Sequence, residues 1–225
     1  MAMLLSAILC GVVGRCTANS YIDNVDLNEY LSNPELRVVY CDIGYDEDTN
    51  KGFIDGNKVD SVEDLQAGSS IVVKVKLDKN YQRQKYYECI LSQVEIEKVY
   101  QGDLRIGDKI NIFEPIDCYT NRAVYCTDGY SMMQNDFEYI LFLQPLKNTF
   151  FGENDYVYAP SSTTYGKYLC EDSEPRLFKS YEIVEGDEAA MLKYSEIKNE
   201  EVFLYDEEQY NKYIYLKKQV LEKFN

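Results

Sequence analysis

Asp46, Asp48 and Asn50 occupy alternate positions of an acidic stretch, matching the first, third and fifth places of an EF-hand calcium loop. Oxygen donors at that spacing can wrap one hard cation. The rest of the stretch departs from the pattern. The sixth place holds Lys51 where glycine permits the sharp turn, and the twelfth holds Asn57 where a bidentate glutamate belongs. The three residues are a calcium candidate beside a plainer reading, a turn with solvated carboxylates.

Other chemistry is bounded by what is missing. The chain has no histidine, which removes the usual general base, Ser-His-Asp and Cys-His nucleophiles, and every zinc site that needs imidazole. Seven cysteines fall at 10, 16, 41, 89, 118, 126 and 170, without paired Cys-x-x-Cys spacing. Cys118 and Cys126 lie across a polar stretch and are the expected disulfide of an exported chain. Cys170 or Cys126 could attack a substrate, but no histidine is present to activate either. Acids are abundant, so a Glu/Asp pair for hydrolysis exists on paper, yet no local motif singles one out. The expectation is a protein without catalysis and without a cofactor.

The formal charge of −16 argues against nucleic acid and against charge-driven binding to anionic headgroups. There are 22 tyrosines and no tryptophan, so tyrosine is the aromatic available for contact. Tyr86, Tyr87, Tyr119, Tyr125 and Tyr130 are the candidates for a binding face, against the alternative that they are ordinary strand and loop residues.

Residues 1–14 form an apolar run with no charge, too short for a spanning helix and fitting the core of a signal peptide. Cys16 stands where a bacterial lipoprotein carries its lipid, although Arg15 precedes it where a small residue belongs; Cys10 is the other choice, preceded by Leu9. The divisions expected are a leader at 1–18, an extension at 19–60, a barrel at 61–150, and C-terminal strands and helix packed on it at 151–225.

The positioning elements follow from periodicity. Residues 19–36 read as a tether or short helix, and 37–41 as a strand. Ser61 and Asp64 form a capping box for a helix over 61–67, ended by Gly68. Ile71, Val73, Val75 and Leu77 alternate with Lys74 and Lys76 in a strand over 70–77. A long strand follows at 86–100, where lost alternation near Val99 implies a bulge. Its return runs over 109–114 with Ile110 and Ile112 inward, stopped by Pro115. A polar loop spans 116–136. Residues 137–143 are almost continuously apolar and read as a strand covered on both faces. Short strands are expected at 155–159, 164–170 and 176–184, and a docked helix at 206–223. The fold class is mainly β: a small antiparallel OB-like barrel, with a short helix before the first long strand and a C-terminal helix.

Three segments, "DLQAGSSIVVKVKL", "VEIEKVYQGDLRIGDKINIFEP" and "EYILFLQP", together resemble a module of uncharacterised exported or lipid-anchored proteins of Gram-positive bacteria. The resemblance implies an OB-like barrel similar to the netrin-like modules of tissue metalloprotease inhibitors. Those inhibitors chelate a protease zinc through a free N-terminal cysteine, and nothing in this chain aligns with it. The function expected is an exported or lipid-anchored cell-envelope accessory module that binds a protein or glycan at the cell surface. Its membrane attachment would run only through a lipidated cysteine. A protease-inhibitory or calcium-dependent binding protein is the alternative, and a carboxylate-pair hydrolase a further one.

Overall fold

The computed structural model describes residues 25–42, 53–118, 122–147, 156–184, 186 and 189–225. The element order is α1 (Leu27–Ser32), β1 (Arg37–Cys41), a 3-10 turn (Gly56–Lys58), α2 (Val62–Ala67), β2 (Ile71–Leu77), β3 (Gln84–Tyr86), β4 (Cys89–Gln101) and β5 (Lys109–Glu114). Then come β6 (Ile116–Asp117), β7 (Ala123–Thr127), β8 (Glu138–Lys147), β9 (Tyr156–Pro160), β10 (Lys167–Leu169), α3 (Ser180–Ile183), α4 (Tyr194–Ile197) and α5 (Glu207–Phe224).

Five strands close a barrel in the order β2-β4-β5-β9-β8 and back to β2. Numbered along the chain these are the first, second, third, fifth and fourth, the Greek-key circuit of an OB-like fold. The alternation of β2 and β5 sends Val73, Val75, Ile110 and Ile112 inside, against Val94, Ile96, Leu141 and Leu143. The expected bulge is present and doubled. Relative to β2, strand β4 skips one residue at Glu97 and one at Tyr100, which gives the long strand the bend that closure requires. One pairing departs from the expected antiparallel pattern: β5 and β9 run parallel, through Asn111–Val157 and Ile112–Tyr158.

β8 is covered on both faces, as its apolar run demands. Tyr139, Leu141 and Leu143 face inward, while Ile140 and Phe142 face outward onto α5. The Phe142 ring lies 5.8 Å from Phe224 and 6.1 Å from Tyr168, both edge-on. α5 starts at Asp206, whose side chain accepts from the Gln209 backbone N–H at 2.8 Å. It buries Tyr213, Leu216, Val220 and Phe224 at helical spacing. α2 starts at Ser61 as expected, with Asp64 bonded back to the Asp60 N–H at 3.1 Å.

Three expectations are corrected. The polar loop at 116–136 contains β6 and β7, which join β1 in a separate three-stranded sheet, β1 pairing parallel to β7. Val124 and Cys126 of that run reach the main core. The strand expected at 176–184 is instead the turn of helix α3, where the Glu182 carboxylate accepts from the Lys179 N–H at 2.7 Å and Ile183 is buried. The long strand begins at Cys89 rather than at residue 86, because Tyr87 turns the chain with φ of 54°.

β7 ends in the turn Asp128-Gly129, with φ of 47° and 76°. Two successive left-handed residues suit Asp followed by Gly. A methyl group on Gly129 would collide with the Phe203 carbonyl oxygen. Gly129→Ala is expected to cost about 1–2 kcal/mol in chemical denaturation. An unchanged midpoint would show that the turn relaxes at no cost.

Candidate functional site

The turn after β9 reads Ser161-Ser162-Thr163-Thr164-Tyr165, four hydroxyls in sequence before a ring. It is pinned from several sides. The Ser161 N–H donates to Phe142 O at 2.8 Å, and Gly166 closes the turn onto Ser162 O at 2.9 Å. Ser69 Oγ donates to Ser161 Oγ at 2.8 Å, and the Ile54 N–H to Ser161 O at 2.7 Å. Backbone so constrained can present side chains without further ordering cost.

This turn forms one wall of a cleft of about 290 Å³. The facing walls come from distant parts of the chain: Tyr40 and Asp42 at the end of β1, Asp55 in the segment before α2, Phe113 on β5, Asp128 after β7 and Gln209 on α5. Thr163 Oγ1 donates to Asp128 Oδ2 at 2.6 Å, and Thr164 Oγ1 donates to Asp128 O at 3.1 Å. Burial raises the Tyr40 phenol well above its ordinary value, helped by the Asp128 and Asp42 charges, while a bond to Gln209 opposes the shift. Tyr165 is pushed up to about 12 by burial and then by Asp206 and Glu208. Both phenols stay protonated at neutral pH and remain donors. Among the described residues the lining includes three aspartates and no lysine or arginine. Lys212 sits beside it, donating to Gly56 O at 3.0 Å.

Cys89 also reaches the cleft, but burial, reinforced by Asp117, raises its thiol to about 12. A thiol held so far from ionisation is a poor nucleophile. What the walls offer is a set of hydroxyl, amide and carboxylate groups between aromatic rings, suited to binding.

A second polar constellation is shut inside. Glu114 lies at the inward-facing end of β5, fully buried. It accepts from the Met133 N–H at 2.7 Å, from Tyr130 Oη at 3.3 Å and from Ser92 Oγ, with Arg83 at 3.9 Å. Nearby, Glu201 holds Lys217 Nζ at 2.5 Å and accepts from Tyr213 Oη at 2.8 Å and the Leu169 N–H at 2.6 Å. Lys167 Nζ donates to Glu201 O at 3.1 Å and sits over the Tyr130 and Tyr139 rings, 4.8 and 5.2 Å from their centroids. These groups cross-link barrel, loops and α5.

Of the tyrosines named from sequence, Tyr86 packs on Phe113 with centroids 5.0 Å apart, beside the cleft. Tyr87 is 62% exposed. Tyr125 is half-buried against the small cluster of Val39, Ala123 and Met191. Tyr130 is 1% exposed and bonded to Glu114, so it is a core residue and not a surface contact. The Cys118–Cys126 disulfide is not formed: both are buried free thiols, and Cys126 Sγ lies 3.8 Å from Val124 O. Burial raises both, Cys118 to about 12. Cys10, Cys16, Asp46, Asp48, Asn50, Tyr119 and the leader lie outside the described residues. Among the described residues no three His, Cys, Asp or Glu side chains cluster as a metal site, and no helix is long and apolar enough to cross a membrane.

Sequence reasoning missed most of the cleft. Its one local signal is the hydroxyl run at 161–164, too rich in Ser and Thr for a strand. Glu114 had a signal too, an acid at an inward parity two residues beyond Ile112. No family model, no curated protein and no solved structure matches this chain.

Proposed function

We propose that this protein is a non-catalytic binding module of the cell envelope, exported by its apolar N-terminal run, and that it engages a surface partner through the cleft between barrel, small sheet and α5. The observation that carries the reading is the composition of that cleft. Aspartates, hydroxyls and an amide face one another between aromatic rings on a pinned scaffold, with no activated nucleophile among them. Cys16 is the proposed lipid attachment point.

The test fills the cleft. Thr163→Trp places an indole where a half-buried hydroxyl stands, and Thr163→Val removes only the bond to Asp128. Wild-type protein is expected to be retained on an array of surface glycans and peptides. Thr163→Trp should lose at least about tenfold in affinity with an unchanged melting temperature, and Thr163→Val much less. Equal retention by Thr163→Trp, or none by the wild type, sinks the reading. A reporter fused after residue 24 should appear outside the cytoplasm if the leader works as proposed.

A further inference from the structure

We infer that the cleft captures the end of an uncharged oligosaccharide, and that Tyr87 stacks on the sugar unit emerging from it. This inference rests on the binding reading above and extends it to a ligand class and a second subsite.

Charge narrows the class first. Among the described residues, a ligand in the cleft meets Asp42, Asp55 and Asp128 and no lysine or arginine of the lining itself, although Lys58 pairs with Asp55 at 3.7 Å and Lys212 sits at the margin; the chain's net charge is −16. The net charge opposes anions at long range, and Asp42 and Asp128 oppose them in the cleft, which argues against nucleic acids and acidic glycans. Hydrogen-bonding chemistry narrows it further. With the Thr163 and Thr164 protons given to Asp128, the lining presents mainly acceptors, carboxylate and hydroxyl oxygens beside the Gln209 amide, and these suit a ligand that donates from many closely spaced hydroxyls. Phe113 is the half-buried ring that can meet C–H groups between those positions, while Tyr40 and Tyr165 are buried against Tyr205 and Tyr213 and shape the wall behind it. A sugar ring alternates hydroxyls and C–H faces in this way; an extended peptide does not.

Size and the neighbouring surface give the second subsite. About 290 Å³ is at the lower end for a small-molecule site, so a chain must leave the cleft after its first ring or so. The wall it passes holds Phe113, with the Tyr86 ring tilted against it at 5.0 Å, and then the turn at Tyr87. Tyr87 is 62% exposed and has φ of 54°, a conformation that a bulky L residue rarely adopts. Two contacts hold it there: Lys85 Nζ donates to Tyr87 O at 2.9 Å, and Cys89 Sγ donates to Tyr86 O at 3.0 Å. Strained backbone that presents an aromatic ring to solvent beside a cleft is the signature of a contact residue.

The experiment is calorimetric titration of the full chain with cello-, malto- and chito-oligosaccharides of one to six units, and with polygalacturonate as the charged counterpart. One neutral series is expected to bind, with affinity rising about tenfold between one unit and two or three, then levelling. Tyr87→Gly removes the ring while easing the turn. It should abolish that rise and leave single-unit binding within about twofold, and Tyr87→Phe should retain the rise. The inference is overturned if no neutral series binds, if polygalacturonate binds as well, if affinity is independent of length, or if Tyr87→Gly matches wild type. Should Thr163→Trp abolish binding to some other partner while all these sugars fail, the cleft reading survives and the sugar inference falls.

Discussion

Replacing Glu201 by alanine is expected to cost about 3–5 kcal/mol and to lower the melting temperature by roughly 10 °C. The carboxylate has three partners, and each loses an acceptor with it. Lys217 Nζ, 2.5 Å away with side chains 5% and 3% exposed, would keep only Ser173 as a partner and become a buried charge without a counterion. The Leu169 N–H and the Tyr213 hydroxyl would each lose an acceptor, although Tyr213 retains Lys167 O at 3.0 Å. Water cannot readily replace them between β10 and α5. The cost belongs to the orphaned partners and not to the pair as such. Joint replacement, Glu201→Leu with Lys217→Met, should therefore recover most of the loss. Thermal melts of the two variants check this. A single variant that melts within roughly 2 °C of wild type would mean that the pair is solvated in solution.

Lys167→Met carries the opposite sign, a gain of about 2 kcal/mol at neutral pH. Lys167 is 4% exposed, and burial lowers its ammonium from the ordinary 10.5 to about 8, although Glu201, Glu114 and Cys126 favour the charge. That gap corresponds to about 3 kcal/mol of penalty for the charged form, from which the lost bond to Glu201 O and the lost cation contacts with the Tyr130 and Tyr139 rings together subtract about 1 kcal/mol or somewhat more. The pH dependence follows from a folded value below the unfolded one. Below about 8 the lysine is charged in both states and the penalty is complete. Between about 8 and 10.5 the unfolded chain holds more protons, so this group's contribution to stability rises with pH. Buried thiols work against it, since Cys89, Cys118 and Cys170 are raised from 9.0 to about 12, 12 and 11, and their contributions fade as pH climbs above 9.0. The difference between variant and wild type isolates Lys167. It should be largest below pH 8 and shrink toward pH 10.5 in urea titrations. A difference constant with pH would show that Lys167 is hydrated in solution.

The barrel was legible because its strands obey a two-residue period that only one backbone satisfies. Lys109–Glu114 falls where the inward Ile110 and Ile112 require it, and the broken alternation near Val99 marked the bulges. β7 was not legible. Its five residues sit inside a polar stretch, and its main partner, β1, is more than eighty residues away in sequence and parallel to it. Tyr130 looked like a loop residue for the same reason. Local polarity says nothing about a core that arrives later in the chain. The cleft was least legible of all, since Asp42, Phe113, Asp128, Thr163 and Gln209 meet only through folding, and no spacing along the chain connects them. Tyr86 and Tyr87 stood out as a tyrosine pair, but the turn that exposes Tyr87 was hidden, since the pair read as the start of the long strand.

The parallel seam between β5 and β9 sets a constraint on biosynthesis. β5 has β4 on one side and only β9 on the other, joined by two residue pairs. A nascent chain that has emerged only as far as β5 therefore presents a bare edge, and that edge stays bare until residues near 158 leave the ribosome.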